Sequence, residues 1–242
     1  MIKPKALTSI SFFFPCYNEA LNVGTMIEQA VKVGEDYGVD YEVVVVDDGS
    51  RDNTAEIVRN WSKKNPRVRL VQHPHNLGYG AALRTGLENC QKDLVFLTDG
   101  DNQFHIGDIE KLFSKIDSCD VVSGYRIQRQ DKFHRRLKGM VWKRLSRTLF
   151  SLPVRDVDCA FKLFRRRALK GLTLKSNQLL IHAEILARIK KNGFKIEEIG
   201  VTHHPRVAGK ASATSFGRMI KSIIELFRLY WGIRFQKTEG RR

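Results

Sequence analysis

The sequence predicts an α/β fold in which helices flank a mostly parallel central sheet. Three observations carry this: short β-rich runs alternate with longer helical patterns through the first 125 residues, Val43 to Val46 is an unbroken β-branched run of the kind a strand buried on both faces needs, and acidic loops follow three of the runs. Ser9 to Phe14 is the first predicted strand, Ala20 to Asp36 the first amphipathic helix. Strands follow at Tyr41 to Asp47, Arg67 to Gln72, Asp93 to Thr98 and Asp120 to Gly124, with helices at Asn53 to Lys64, Tyr79 to Cys90 and Ile106 to Ile116 between them. Repeated strand-helix-strand units imply right-handed crossovers. After Arg126 the pattern changes: a basic helix over about Phe133 to Phe150, a strand at Cys159 to Phe164, a helix over about Leu179 to Lys191, a strand within Phe194 to His203, and a long amphipathic stretch from about Ser215 to Trp231. No repeat, low-complexity tract or linker divides the chain, so one domain of 1–242 is expected.

At 42% apolar residues, the 242-residue chain can bury a core. Its formal charge of +16 calls for an anionic partner or surface. That charge is uneven. Residues 1–125 hold 13 basic and 18 acidic side chains, residues 126–175 hold 16 and 3, and residues 176–242 hold 13 and 5. Cys16, Cys90, Cys119 and Cys159 lie far apart with no C-x-x-C pair, which argues against a zinc site or a disulfide framework and for a reducing compartment. The apolar run Ile10 to Phe14 is too short for a secretory signal and ends at Pro15. Met219 to Phe235 is the nearest approach to a membrane span, but Lys221, Glu225, Arg228 and Arg234 interrupt it.

In parallel sheets ligands bind at the carboxyl ends of the strands, which here selects Pro15 to Glu19, Asp47 to Arg51 and Asp99 to Gln103. Asp99 and Asp101 are two carboxylates separated by one glycine beyond a buried strand; held so close, they need a cation or a raised pKa. Mg²⁺ or Mn²⁺ suits them, since these ions take oxygen ligands and share one or two carboxylates with substrate phosphates. Gly100 would let the backbone approach a diphosphate. Taken alone, D-x-D is equally a polar turn. Asp52 or Asn53 is placed to cap the following helix, which leaves Asp47 and Asp48 at a strand tip, where an acidic side chain can hydrogen-bond a base or ribose. Tyr17 is equally a packing residue, and Glu19 equally a first-turn charge on the helix dipole.

The motifs SFFFPCYNE (11–19), VVDDGSRDNT (45–54), NLGYGAALRTG (76–86) and LTDGDNQF (97–104), in this order, resemble the family 2 inverting glycosyltransferases with the GT-A, Rossmann-like fold. The resemblance continues through SGYR (123–126), DVDCAFKLF (156–164) and PRVAGK (205–210), and there it is most similar to the dolichyl-phosphate mannose synthase and polyprenyl-phosphate glycosyltransferase branch. It implies that Pro15, Tyr17, Glu19 and Asp47 hold the nucleoside, with Asp48 beside them. Asp99 and Asp101 would hold the metal and diphosphate, with Gln103 completing the metal loop. Arg126 and Arg206 would face the phosphates of donor and acceptor. The branch often reads R-x-x-G-x-S-K, whereas Lys210 here comes two positions early, directly after Gly209.

The resemblance thus implies a metal-dependent hexosyltransferase acting on a nucleotide-diphospho-sugar, GDP-mannose or a UDP-hexose, with residues 1–125 as the nucleotide-sugar half and 126–242 as the acceptor and membrane-facing half. A phosphate monoester, with a second pKa of about 6, is already largely a dianion at neutral pH. Such an acceptor needs positioning by Arg and Lys more than it needs a general base. A saccharide or other hydroxyl acceptor would need a base, for which Asp156 is placed. The basic stretch from Arg126, with Arg129, Lys132, Arg135, Arg136, Lys138, Lys143, Arg144 and Arg147 among apolar residues, can lie on an anionic bilayer or be a solvated helix face. A non-catalytic nucleic-acid- or membrane-binding module is the rival of another class, but nucleic acid is not expected, because the acidic tips would repel a polyanion. The expected place is the cytoplasmic face of a membrane, bound peripherally, either directly or through an anchored partner.

Overall fold

The computed structural model describes residues 3–127, 144–178, 180–205 and 216–235. Its centre is a seven-stranded sheet of order β3-β2-β1-β4-β6-β5-β7, with β1 Ser9–Cys16, β2 Asp40–Asp47, β3 Val68–Gln72, β4 Leu94–Leu97, β5 Val121–Ile127, β6 Lys162–Arg165 and β7 Ile196–Thr202. Every pairing is parallel except those of β6, which runs antiparallel to both β4 and β5. The expected mostly parallel sheet is therefore present, with one reversed strand that the sequence pattern did not distinguish.

Successive side chains on a strand point to opposite faces, and this divides the core in two. Phe12, Phe14, Val43, Val45 and Phe96 enter one layer, under α1 Val23–Asp36, α2 Thr54–Lys64 and α4 Ile109–Ile116. Phe13, Val44, Val46, Val95 and Leu97 enter the other. That second layer is covered by α3 Tyr79–Asn89, a helical segment at 144–150 (α5), α6 Arg166–Leu169, α7 Leu180–Lys191 and α8 Phe216–Phe235. The Val43–Val46 run is fully buried because both of its faces meet helices.

The element ends differ from the sequence expectation for local reasons. Helix α1 starts at Val23, after a turn in which the amides of Asn22 and Val23 both donate to the Glu19 carbonyl. A single 3-10 turn, Ile106–Asp108, precedes α4. The expected strand at Cys159 begins only at Lys162, whose buried ammonium donates to the Val157 and Cys159 carbonyls and holds that segment as a loop. Of the basic helix expected over Phe133 to Phe150, only 144–150 falls among the described residues. No described helix is long and apolar enough to cross a membrane.

Helix α3 approaches β1 through Gly86, where an added Cβ would lie 2.0 Å from the Phe13 ring. Alanine would gain about 1 kcal/mol of helix propensity, but it would force ring and helix apart. Gly86→Ala is expected to destabilise the protein by about 1–2 kcal/mol net, read as a lower urea midpoint with an unchanged slope.

Candidate active site

The first two strand tips are laced together. The Asn18 amide donates to Ser50 Oγ (2.8 Å), the Arg51 amide to Asn18 Oδ1 (2.8 Å), the Glu19 amide to Thr54 Oγ1 (2.9 Å) and the Ala20 amide to Asp52 Oδ2 (3.1 Å). Asn18 takes up a left-handed conformation (φ 56°) to make this turn. Asp52 also accepts from the Thr54 amide at the start of α2, so it does serve the helix entry. Pro15 and Glu19 are buried, Glu19 accepting from Asn22 Nδ2 at 2.7 Å, while Tyr17 stays 40% exposed beside them.

Asp47 and Asp48 sit deeper than a nucleoside-facing pair would. Asp47 is fully buried, its two oxygens accepting from the Ser50 amide (3.1 Å) and Gln72 Nε2 (3.0 Å). Asp48 pairs with His73 Nδ1 at 2.7 Å and accepts from the amides of Leu77 (2.8 Å) and Gly78 (2.9 Å). This corrects the expectation for Asp48: its carboxylate shapes the 73–78 loop leading into α3, because three donors there surround it. Gly49 makes the tight passage possible, with φ of +67° and the His75 backbone 2.4 Å from where a Cβ would stand.

The third tip carries the acidic pair. Tyr79, the first residue of α3, donates its hydroxyl to Asp99 Oδ1 at 2.7 Å, and the same oxygen lies 2.9 Å from His182 Nε2 on α7. Asp101 Oδ1 accepts from the Gln103 amide at 3.2 Å. Gln103 also ties the loop to the end of β7: its carbonyl accepts from the His204 amide (2.8 Å) and its Nε2 donates to the His204 carbonyl (3.1 Å), which leaves its side-chain oxygen for a cation. Gly100 has a packing role besides the expected one. A Cβ there would meet Cys16 Sγ at 2.5 Å and the Pro15 carbonyl at 2.9 Å, so glycine is needed to pack the acidic loop on the β1 tip.

Because β6 is antiparallel, its first residue Lys162 pairs with Leu97 at the carboxyl end of β4 and with Ser123 in the first half of β5. This brings the Asp156 to Phe161 segment to the acidic tip. Arg126, expected to face phosphates, instead grips Asp156 with two bonds of 2.7 and 2.9 Å, and its side chain is only 14% exposed. Its Nε and Nη2 are both held by this buried carboxylate. Asp156 is equally committed, so it is poorly placed as a general base. Arg206 and Lys210 lie outside the described residues, as do Arg129 to Lys143.

Burial, and then the Asp101 carboxylate, push the Asp99 pKa up to about 6. Burial lowers that of Lys162 and, well below its usual range, that of His182. Two carboxylates this close, with an amide oxygen in the same loop, make the all-oxygen donor set that a hard divalent ion accepts when phosphates complete its shell. The residues fit such an ion. A proton at Asp99 competes with it, so Mn²⁺ binding is expected to weaken as pH falls through about 6 and to level off above. Folding without metal takes up a proton between about pH 4 and 6, so stability should fall as pH rises through that window and should not do so in Asp99→Asn. Manganese titrations and urea unfolding at pH 5 and 7.5 measure the two effects.

A cavity of about 870 Å³ opens at the opposite end of the strands, lined by Lys5, Arg84, Glu88, Asp93 and Arg165 to Arg167. It lies away from the acidic tips.

The model of glycosyl transferase family 2 matches residues 11–173, which takes in the three acidic tips and β6. The chain belongs to this family. A dolichyl-phosphate beta-glucosyltransferase of Trichomonas vaginalis is 31% identical over 179 residues, covering 67% of this chain but only 53% of that relative. The dodecaprenyl-phosphate galacturonate synthase of Rhizobium johnstonii is 26% identical over 241 residues, 98% of this chain and 71% of the relative. Among solved structures, the glucosyl-3-phosphoglycerate synthase of Mycobacterium tuberculosis in complex with Mn²⁺, UDP and phosphoglyceric acid superposes with a TM-score of 0.73 over 94% of this chain and 80% of that one, at 20% identity. The family 2 transferase therefore shares the GT-A fold. The mannose-synthase type is not the one these relatives represent; they are named for glucose and galacturonate.

Three site residues escaped the sequence reading: Tyr79, Lys162 and His182. Lys162 and His182 had a signal, each being a polar residue inside an otherwise apolar run, Cys-Ala-Phe-Lys-Leu-Phe and Leu-Leu-Ile-His-Ala-Glu-Ile-Leu. Such an interruption in a buried element marks a hydrogen-bond network.

Proposed function

We propose that the chain moves a hexose from a nucleotide-diphospho-sugar, a UDP-hexose before GDP-mannose, to a polyprenyl phosphate, with inversion at the anomeric carbon. The observation that carries this reading is the Asp99–Asp101 pair at the carboxyl edge of the sheet, next to the laced first and second tips. The names of the relatives support the acceptor class. A bound Mg²⁺ or Mn²⁺ would stabilise charge developing on the leaving diphosphate. Asp99, Asp101 and the Gln103 side-chain oxygen would hold it. Tyr17, exposed on the first tip, would offer its ring to the nucleoside, while Pro15, Glu19 and Asp47 shape the loop behind it. The Arg126 clamp on Asp156 favours a phosphate acceptor, since the nearest candidate base is neutralised and a dianion needs none.

Helix α8 supports action at a membrane surface. It buries Leu226 and Ile233 toward the core and exposes Ile224 (49%), Phe227 (43%), Trp231 (53%) and Phe235 (73%) along the other side, with Arg228 and Arg234 nearby. Apolar side chains with flanking arginines suit the headgroup boundary of an anionic bilayer, which we place on the cytoplasmic side. Incubating the protein with Mn²⁺, a panel of nucleotide sugars and a polyprenyl phosphate tests the reaction; transfer to a saccharide with none to the lipid would overturn the acceptor. Phe227→Glu/Trp231→Glu is expected to reduce sedimentation with phosphatidylglycerol vesicles at least about tenfold, and unchanged sedimentation would remove the membrane claim.

A further inference from the structure

Asp99 is reached by a buried chain of hydrogen bonds that the reaction outlined above does not use. Tyr79 has one hydroxyl proton. With Asp99 as a carboxylate that proton goes to Oδ1, so the phenol oxygen accepts from His182 Nε2–H. The His182 ring is then the Nε2–H tautomer, and its Nδ1, buried and without a hydrogen-bond partner among the described residues, is a bare acceptor. The other neutral tautomer would bury an N–H with nothing to receive it and would leave the phenol oxygen without a donor, which costs more.

The helices that carry the two residues are fixed to each other. Arg84 on α3 donates to the Ser176 carbonyl at 2.6 Å and to Asn177 Oδ1 at 3.2 Å. Glu184 on α7, fully buried, accepts from the amides of Lys175 (2.9 Å) and Ser176 (2.7 Å). Gly80 lets α3 come this close, since a Cβ there would stand 2.4 Å from the Ser176 carbonyl. The phenol ring lies against the imidazole at 5.5 Å between centroids.

We propose that Tyr79, oriented by His182, is a positioning residue for the acidic pair: it occupies Asp99 Oδ1 and so presents Oδ2 as the oxygen offered to the divalent ion and diphosphate. This rests on the metal reading of Asp99 and Asp101. A hydrogen bond that orients a ligating carboxylate and fixes its rotamer is worth roughly 10–100-fold in metal affinity. Tyr79→Phe removes that bond together with the one the phenol accepts from His182, while the ring still packs on His182. His182→Gln keeps an N–H donor near the Nε2 position; His182→Leu does not.

The experiment measures UDP binding by calorimetry, with and without Mn²⁺, on wild type, Asp101→Ala, Tyr79→Phe, His182→Gln and His182→Leu, each checked by thermal melting. In Tyr79→Phe the metal-free affinity for UDP should stay at the wild-type value while the Mn²⁺-dependent increment falls by about tenfold or more. His182→Leu should follow it and His182→Gln should recover most of the loss. Asp101→Ala separates the two ideas. If Mn²⁺ strengthens UDP binding in wild type, fails to do so in Asp101→Ala, and still does so fully in Tyr79→Phe, the metal site stands and the positioning role falls. If Asp101→Ala behaves as wild type, the metal reading falls and the positioning role with it. A fall in metal-free UDP affinity as large as the fall with Mn²⁺ also overturns the proposal, because a general distortion of the pocket would then account for the loss. Should His182→Leu fail to fold, Tyr79→Phe alone decides.

Discussion

Asp101→Ala is expected to lower transfer by at least about a hundredfold while the protein remains folded. Asp101 is half-buried at the loop surface, and its Oδ1 accepts from the Gln103 amide inside the same loop. Its removal relieves the repulsion that its carboxylate exerts on the buried Asp99. The catalytic loss is large because a group acting on the leaving diphosphate works where charge develops, in a partly dry site. Turnover and circular dichroism on the same preparation check both halves. Full activity in the variant would remove the metal assignment, and a lost fold would show that the carboxylate is structural.

Arg126→Met is expected to cost about 3 kcal/mol of stability, because it leaves the buried Asp156 carboxylate without the guanidinium that neutralises it. Lys162 cannot replace that guanidinium without leaving its own partners, since its ammonium is held by the Val157 and Cys159 carbonyls. The double variant Arg126→Met/Asp156→Leu should recover most of the loss, since removing both charges also removes the desolvation cost. Urea unfolding of the three proteins measures this as a double-mutant cycle. A single variant as stable as wild type would mean that water or another cation already shields Asp156. The same cycle bears on chemistry: if the single variant frees Asp156 to act as a base, transfer to a hydroxyl acceptor should rise in it.

Much of the fold was legible because the signals are local. The Phe12–Phe14 and Val43–Val46 runs, the Asn53 helix entry and the apolar period of α1 each lie within about four turns of helix or less. The strand-tip rule then located all three loops of the candidate site without coordinates. What the loops do was less legible. Asp47-Asp48 reads as two equivalent acids in the sequence, yet Asp48 is surrounded by His73 and the amides of Leu77 and Gly78, a partner set that exists only once the 73–78 loop has folded over it. Gly100 reads as room for a ligand, and only the structure shows that it also makes room for Cys16.

By itself the sequence determined the order of strands and helices, the acidic tips and the division of charge, since side-chain periodicity and turn chemistry act between near neighbours. Only the tertiary structure decided the direction of β6, and with it the meeting of Arg126 with Asp156 and of Lys162 with the acidic tip. It also decided that Tyr79 meets His182 across 103 residues of chain. A strand's own pattern is the same read in either direction, so its orientation is set by the neighbours it pairs with. Buried polar groups far apart in sequence likewise find each other only when packing leaves them no water to use instead.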